Sequence, residues 1–206
     1  MGGVISIYRG IGQRDCLGSP KGERQVQQPH SPEFAALISP EVTALRYYFA
    51  PMEGLTDSIY RSVHHKHFGG VDRYYMPFLS PTIHRTLTHR EDRELPVADS
   101  VPYAAVPQVL TKVAEDFLWA ASVCRDLGYN EVNLNLGCPS GTVTAKGKGS
   151  GMLKDLKALE AFLDEVYSHA DIAISIKTRI GLNDAGYLGR FIEIFGKYPV
   201  HELTVH

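Results

Sequence analysis

From residue 46 onward, apolar β-prone runs alternate with amphipathic helical segments, and this alternation limits the folds open to the chain. The pattern predicts six strands, over residues 47–50, 71–78, 104–110, 131–136, 172–177 and 202–205. It also predicts helices between them, over residues 56–68, 112–127, 155–169 and 184–195. Strands that are joined through helices form parallel sheets, because each helix returns the chain to the same end of the sheet.

Two α/β architectures satisfy this pattern, a doubly wound sheet and a (β/α)8 barrel. Polar or loop-forming residues close several strands, and in a barrel these strand ends converge on one mouth; they are Pro51, Met52, Gln108, Cys138, Lys177 and His206. No G-x-G-x-x-G fingerprint follows the first strand, and the units run in series without a reversal. We therefore predict an α/β fold of the TIM (β/α)8-barrel type. About six of its eight βα units are present, so we expect an incomplete barrel.

The first 45 residues differ in character from the rest. They mix Gly, Pro, Gln, Arg and Ser without a sustained helical or strand period, which is typical of a segment that lacks a packed core. We predict a poorly ordered extension over residues 1–45 and the barrel domain over residues 46–206.

Charge and cysteine content restrict the setting in which the protein works. The formal net charge is -2, so binding to nucleic acid would require a local basic patch. The three cysteines, Cys16, Cys124 and Cys138, are too few and odd in number for a disulfide framework, which favours a reducing, cytoplasmic location. No apolar run approaches the roughly 18 residues of a membrane span, so no membrane association is predicted. These features predict nothing about the oligomeric state.

Cys138 is the strongest candidate for chemistry. The β-prone run over residues 131–136 stops at Gly137, and Pro139 after the cysteine cannot continue a strand ladder. A buried structural thiol is the alternative, since free cysteine is often fully buried. Strict strand alternation would put Asn135 and Cys138 on opposite faces, but the turn at Gly137 can bring both to the mouth.

Other polar residues fall at strand ends. Gln108 lies within an apolar strand and requires a hydrogen-bond partner, which the edge of a cofactor ring would provide. Lys177 and Arg179 end the fifth strand, where Lys177 could hold an anionic ring or a phosphate. Residues 146–151 have the composition of a phosphate loop but not its spacing, so we interpret them as a flexible basic loop. Cys138 has no Cys or His neighbour at ligand spacing, and no metal site is predicted.

Four motifs in order resemble the signatures of tRNA-dihydrouridine synthases. They are APMEGLTD at residues 50–57, NLGCPS at 135–140, KTRIG at 177–181 and LTVH at 203–206. The resemblance runs from about residue 47 to the end. It implies an FMN-dependent TIM barrel that reduces specific uridines in tRNA to 5,6-dihydrouridine, with NADPH as the electron donor. By the same resemblance, the last barrel strands and a C-terminal helical tRNA-binding domain are absent, so the chain is expected to be a truncated barrel.

The resemblance also assigns roles to individual residues. Cys138 matches the general acid that protonates C5 of the uracil. The residues that match the flavin contacts are Pro51, Met52, Gln108, Lys177 and His206. Asn135 matches a residue at the target base, and Arg179 is a further candidate there. The target base has to leave its stack to be reached.

Two other functions are compatible with the residues. One is a different FMN barrel oxidoreductase that acts on a small molecule, similar to dihydroorotate dehydrogenase, since such enzymes also use a strand-end Lys and a loop Cys or Ser. The other is a folded fragment without catalytic activity. The motif over residues 135–140 and the start at residues 51–54 favour the tRNA enzyme.

Overall fold

The strands of the described residues all pair in parallel, as the alternating pattern predicts. The computed structural model describes residues 4–7, 46–181 and 185–206, and the elements in these ranges belong to one compact unit. The strands are β1 (Val4–Ile7), β2 (Tyr48–Phe49), β3 (Arg73–Tyr75), β4 (Ala105–Val106), β5 (Gln108–Val109), β6 (Glu131–Asn135), β7 (Ala173–Thr178) and β8 (Glu202–Val205). The α-helices are α1 (Ser58–His67), α2 (His89–Glu94), α3 (Ala114–Asp126), α4 (Gly141–Thr144), α5 (Leu156–His169) and α6 (Leu188–Phe195).

The order of the strands decides between the two architectures. One sheet runs β2-β3-β4 and the other runs β1-β8-β7-β6-β5. The predicted strand over residues 104–110 is divided at Pro107, which has no N–H to donate to a ladder. Hydrogen bonds continue past the division, because Leu79 N–H donates to the Gln108 carbonyl at 2.7 Å and Asn133 N–H to the Pro107 carbonyl at 2.8 Å. From β2 to β8 each strand therefore lies beside the one before it, with β4 and β5 as two parts of a single strand, as in a barrel and unlike a doubly wound sheet.

A contact across the barrel interior shows that the sheet formed by β2 to β8 is strongly curved. The Tyr75 hydroxyl in β3 donates to Glu202 Oε1 in β8 at 3.2 Å. Arg73 Nη1 lies 2.7 Å from Glu131 Oε2 and 3.7 Å from Glu202 Oε2. In a flat sheet, four strand spacings of about 4.8 Å would separate β3 from β8 by about 19 Å. The structure is thus an incomplete TIM-type barrel with its strands wrapped around an interior.

Helices α3 and α5 cover the outside of the central strands. Each has a buried apolar stripe, and their rings Phe117 and Phe162 meet edge to face at 6.2 Å. The Asp155 carboxylate caps α5 by accepting from the N–H groups of Lys157 and Ala158. All five residues of β6 are buried beneath this layer. No described helix has both the length and the apolar character that a membrane span requires.

The structure departs from the sequence prediction in several elements, among them the short helix α4, which was not predicted. Helix α3 begins at Ala114 and not at residue 112, and the Thr111 hydroxyl before it accepts from Val113 N–H. Helix α2 was not predicted, because its charged residues have no apolar period; a capping box between Thr88 and Glu91 forms it. The unpredicted strand β1 pairs with β8. The rest of the predicted extension over residues 1–45 lies outside the described residues.

The curvature can be tested with a double-mutant cycle on Tyr75→Phe and Glu202→Gln. Because the two side chains are hydrogen-bonded, we expect an interaction energy of about 0.5–1.5 kcal/mol in the free energy of unfolding, measured in urea. As a control, Tyr75→Phe combined with Asp126→Asn on the exposed end of α3 should give additive effects. Additivity in the Tyr75–Glu202 cycle would contradict the curled sheet.

Candidate active site

The exit of β6 holds Cys138 through the side chain of Asn135. Asn135 Oδ1 accepts from Gly137 N–H at 3.1 Å and from Cys138 N–H at 3.0 Å. Its Nδ2 donates to Gln108 Oε1 at 2.7 Å. The strand therefore ends in a turn whose two N–H groups are bound by the last strand residue. The turn brings Cys138 and Asn135 together at the end of β6, which is the arrangement that the sequence allows at Gly137.

A second set of contacts fixes Cys138 from the following loop. Its carbonyl accepts from Ser150 N–H at 3.1 Å and from Ser150 Oγ at 2.9 Å. Gly149 has φ +56°, and a Cβ there would lie 2.9 Å from the Cys138 carbonyl oxygen, so this approach requires glycine. The interpretation of residues 146–151 as a flexible loop is wrong, because residues 149–153 are buried within the 3-10 helix Gly149–Lys154.

The two described cysteines have different environments. Cys124 is fully buried on α3, and burial raises its pKa to about 12. Cys138 is a free thiol and only half-buried. A buried thiol of high pKa is chemically inert, whereas the one at the strand exit is accessible. Of these two, only Cys138 is in a position to react with a solvent-borne molecule.

A layer of buried amides lies beneath the Cys138 turn. Gln108 is 1% exposed, and its Nε2 donates to Asn133 Oδ1 at 2.8 Å. Asn133 Nδ2 then donates to Ser175 Oγ at 2.9 Å, so the layer crosses β5, β6 and β7. Asn133 and Asn135 thus supply the hydrogen-bond partners that the buried side chain of Gln108 requires. A contact between Gln108 and a cofactor remains a prediction.

The ends of β7 and β8, beside the Cys138 turn, carry Lys177, Arg179 and His206. Lys177 pairs in register with Asn135. Burial lowers the pKa of Lys177, the charge of Arg179 lowers it further, and Cys138 opposes both effects. His206 follows β8 and donates its N–H to the Thr178 carbonyl at 3.1 Å. The charge of Lys177 lowers the pKa of His206, with smaller contributions from burial and Arg179. Cys138, Lys177, Arg179 and His206 therefore form one electrostatically coupled group.

Pro51 and Met52 lie in a separate set of contacts at the end of β2. Met52 is 57% exposed, yet its backbone is held at both ends by Thr56. The Thr56 hydroxyl accepts from Met52 N–H at 2.8 Å and donates to the Met52 carbonyl at 3.2 Å. Leu55 N–H also donates to the Met52 carbonyl at 3.1 Å. Within the described residues, the hydrogen bonds of Met52 thus stay inside its own loop and do not reach the Cys138 group.

Sequence reasoning missed the residue that supports this loop, Arg61. The Arg61 side chain is fully buried, and its Nη1 donates to the Thr56 carbonyl at 2.8 Å. It also pairs with Glu94 Oε2 at 3.3 Å, and the same oxygen accepts from Ser58 N–H at 2.8 Å. The only signal was an arginine at a core-facing position of α1. Its partner Glu94 is the last residue of α2, beyond β3 in the chain, so no local pattern reveals the pair.

Comparison with known proteins agrees with this architecture. The family model described as "Dihydrouridine synthase (Dus)" matches residues 48–206. The chain belongs to the dihydrouridine synthase family. In the described residues of this Dus chain, no cluster of three or more His, Cys, Asp or Glu side chains is arranged to hold a metal ion.

Curated relatives of this Dus chain carry related names. It is 26% identical over 169 residues to "Probable tRNA-dihydrouridine synthase 2" of Bacillus subtilis, an alignment that covers 78% of this chain and 49% of that protein. It is 30% identical over 147 residues to "tRNA-dihydrouridine(16) synthase" of Cupriavidus necator, covering 68% of this chain and 45% of the relative. The Dus chain thus spans about half the length, or less, of the curated relatives that it matches.

The buried and the exposed arginine–glutamate pair of this Dus chain should contribute differently to the free energy of unfolding. Arg61→Met leaves Glu94 without its buried partner, and we expect the free energy of unfolding to fall by about 3–5 kcal/mol. The matched control is Arg90→Met, which removes a pair between Arg90 and Glu53 whose arginine side chain is 57% exposed. The free energy of unfolding of that variant should fall by less than about 1 kcal/mol. Equal losses in urea unfolding would contradict the supporting role of Arg61.

The two cysteine environments predict selective alkylation. Iodoacetamide at pH 8 should modify Cys138 in the folded protein and leave Cys124 unmodified, because burial keeps the Cys124 thiol protonated and inaccessible. Peptide mass mapping would follow both sites, and unfolding in urea should expose Cys124. Modification of Cys124 at the same rate as Cys138 under native conditions would refute the assignment.

Proposed function

We propose that this protein is a tRNA-dihydrouridine synthase, a cytoplasmic flavin-dependent oxidoreductase that reduces specific uridines of tRNA to 5,6-dihydrouridine with NADPH as the reductant. One observation carries the proposal: an accessible thiol, Cys138, is fixed at the exit of a central strand beside the cations Lys177 and Arg179 and the imidazole of His206. Membership of the Dus family and the names of the matched relatives support the same reaction class.

The residues at the strand ends fit FMN as the cofactor. In the described part of the chain, no carboxylate lies within 4.0 Å of Lys177 or Arg179, so both cations are available to an anionic ligand. Lys177 and His206 would hold the electron-rich edge of the flavin ring and its side chain. Gln108 and the Pro51–Met52 backbone would provide further hydrogen bonds. When bound, FMN supplies the hydride that is added to C6 of the uracil ring.

Cys138 supplies the proton that completes the reduction. Its Sγ–H bond breaks as the proton moves to C5 of the uracil, and the thiolate that remains takes a proton from solvent. The ammonium group of Lys177 lies within electrostatic range of Cys138, and this contact raises the pKa of Lys177 against the effect of burial. Asn135 and Ser150 bind the backbone of Cys138 on both sides and so restrict where the thiol can point. Asn135 and Arg179 are proposed to contact the target base.

The reaction is tested with Cys138→Ala. General acids of this kind contribute about 100-fold to 10,000-fold, so the variant should reduce unmodified tRNA at least about 100 times more slowly than the parent. It should still retain FMN, measured by visible absorbance after desalting, because the thiol is not assigned to cofactor binding. Cys124→Ala is the matched control, since it removes a cysteine from the core and should keep activity.

Three outcomes would contradict the proposal. Unchanged tRNA reduction by Cys138→Ala would show that the thiol is not the proton donor. Loss of flavin from that variant alone would make Cys138 a structural residue. A parent protein that reduces free pyrimidines but not tRNA would indicate the small-molecule oxidoreductase instead.

A further inference from the structure

Three lysines from two separate segments converge beside the loop that holds Cys138. Lys112 follows β5, and Lys146 and Lys148 follow α4. A Cβ at Gly147 would lie 3.5 Å from Cδ of Lys112 and 3.6 Å from its Nζ, so Lys112 lies against the backbone between the other two lysines. We name Lys112, Lys146 and Lys148 the lysine cluster. Two helices and a strand separate Lys112 from the other two lysines in the sequence, so the fold creates this group.

The lysine cluster is not neutralised by its surroundings. In residues 46–181 and 185–206, no carboxylate lies within 4.0 Å of any of the three ammonium groups. Lys148 Nζ donates to the Ser80 hydroxyl at 3.1 Å. Burial lowers the pKa of Lys148; Asp116 opposes this effect, and Lys146 and Lys112 add to it. Asp116 itself pairs with Arg85. The local charge is therefore positive although the chain as a whole carries -2.

The position of the lysine cluster links it to the candidate chemistry. Lys148 directly precedes Gly149, whose backbone packs against the Cys138 carbonyl, and Ser150, whose N–H and hydroxyl both bind that carbonyl. An anion held by the cluster would thus lie on the same loop that fixes the thiol. Lys112 and Lys146 are exposed and Lys148 is half-buried, so the cluster faces solvent. Concentrated positive charge of this kind, without a paired carboxylate in the described residues, suits a polyanion.

We propose that Lys112, Lys146 and Lys148 form a phosphate-binding site for the RNA backbone next to the uridine that reaches Cys138. This inference rests on the proposed function, since it assumes an RNA substrate. Lysine binds phosphate as a point charge without reading sequence, so the site sets the position of the strand and not its identity. Base recognition is left to the residues around Cys138. A flipped uridine keeps its flanking phosphates near the protein surface, where such a site is useful.

The test is the salt dependence of binding to an unmodified tRNA transcript. Lys112→Gln combined with Lys146→Gln removes the two exposed charges without touching buried contacts. Each phosphate contact contributes about 0.7–0.9 to the slope of log K against log salt, so the double variant should lower the magnitude of that slope by about 1.5. The control for net charge is Lys66→Gln with Lys157→Gln, exposed lysines on α1 and α5, which should leave the slope unchanged.

The remaining outcomes separate this site from the proposed function. An unchanged slope in the Lys112–Lys146 variant, with normal tRNA reduction by the parent, would overturn the phosphate site and leave the function standing. A parent that neither binds nor reduces tRNA would overturn both. Loss of FMN from the variant would mean that the lysines hold the cofactor phosphate, which also overturns the RNA site. The variant Lys112→Arg with Lys146→Arg keeps both positive charges, and a slope of log K against log salt equal to that of the parent would support a role of charge.

Discussion

The side chain of Asn135 connects the barrel interior to the candidate catalytic thiol, and the arrangement of the site depends on it. Its oxygen binds the two N–H groups of the Gly137–Cys138 turn, while its nitrogen binds Gln108 in the amide layer. Because Gln108 and Asn133 are also bound to each other, the turn is anchored to β5, β6 and β7 at once. A polar network that is fully satisfied in a buried position is rigid, and a rigid support fixes where Cys138 lies.

The two ends of the parallel strands carry different charge patterns. At the strand starts, Glu131 and Glu202 both pair with Arg73, so the two carboxylates are partly compensated within the protein. At the strand exits, Lys177 and Arg179 have no such compensation within the described residues. All strands run in the same direction, so these differences accumulate at opposite ends of the barrel. The exit end therefore attracts anions, which agrees with a flavin and an RNA strand as the proposed ligands.

Support for the mouth also comes from the side of β2. The buried Arg61–Glu94 pair holds the Thr56 carbonyl and the start of α1, and Thr56 holds Met52. The exposed side chain of Met52 thus projects from a backbone that Thr56 and the buried Arg61–Glu94 pair hold in place. The thiol loop and the Met52 loop are secured in the same way, by buried polar side chains beneath an exposed functional group. Preorganisation of this kind reduces the loss of conformational freedom on ligand binding.

Local sequence patterns determined much of this protein. The alternation of apolar runs and amphipathic helices predicted the parallel sheet, and the run that stops at Gly137 predicted that Cys138 lies at a strand exit. Those inferences succeed because strand period, helix period and turn residues act over a few neighbouring positions. The four motifs identified the family for the same reason, since each is contiguous.

Only the tertiary structure decided which side chains meet. Asn135 binds the turn that follows it and Gln108 on a neighbouring strand, Arg61 finds Glu94, and Lys112 lies against the loop of Lys146 and Lys148. The unpredicted strand β1 belongs to the same class, since a neighbouring strand edge defines it. Helix α2 is different, because its capping box joins Thr88 and Glu91, which lie three positions apart. The other pairings depend on strand register and on the curvature of the sheet, which join residues far apart in the chain and leave no periodic trace in the sequence.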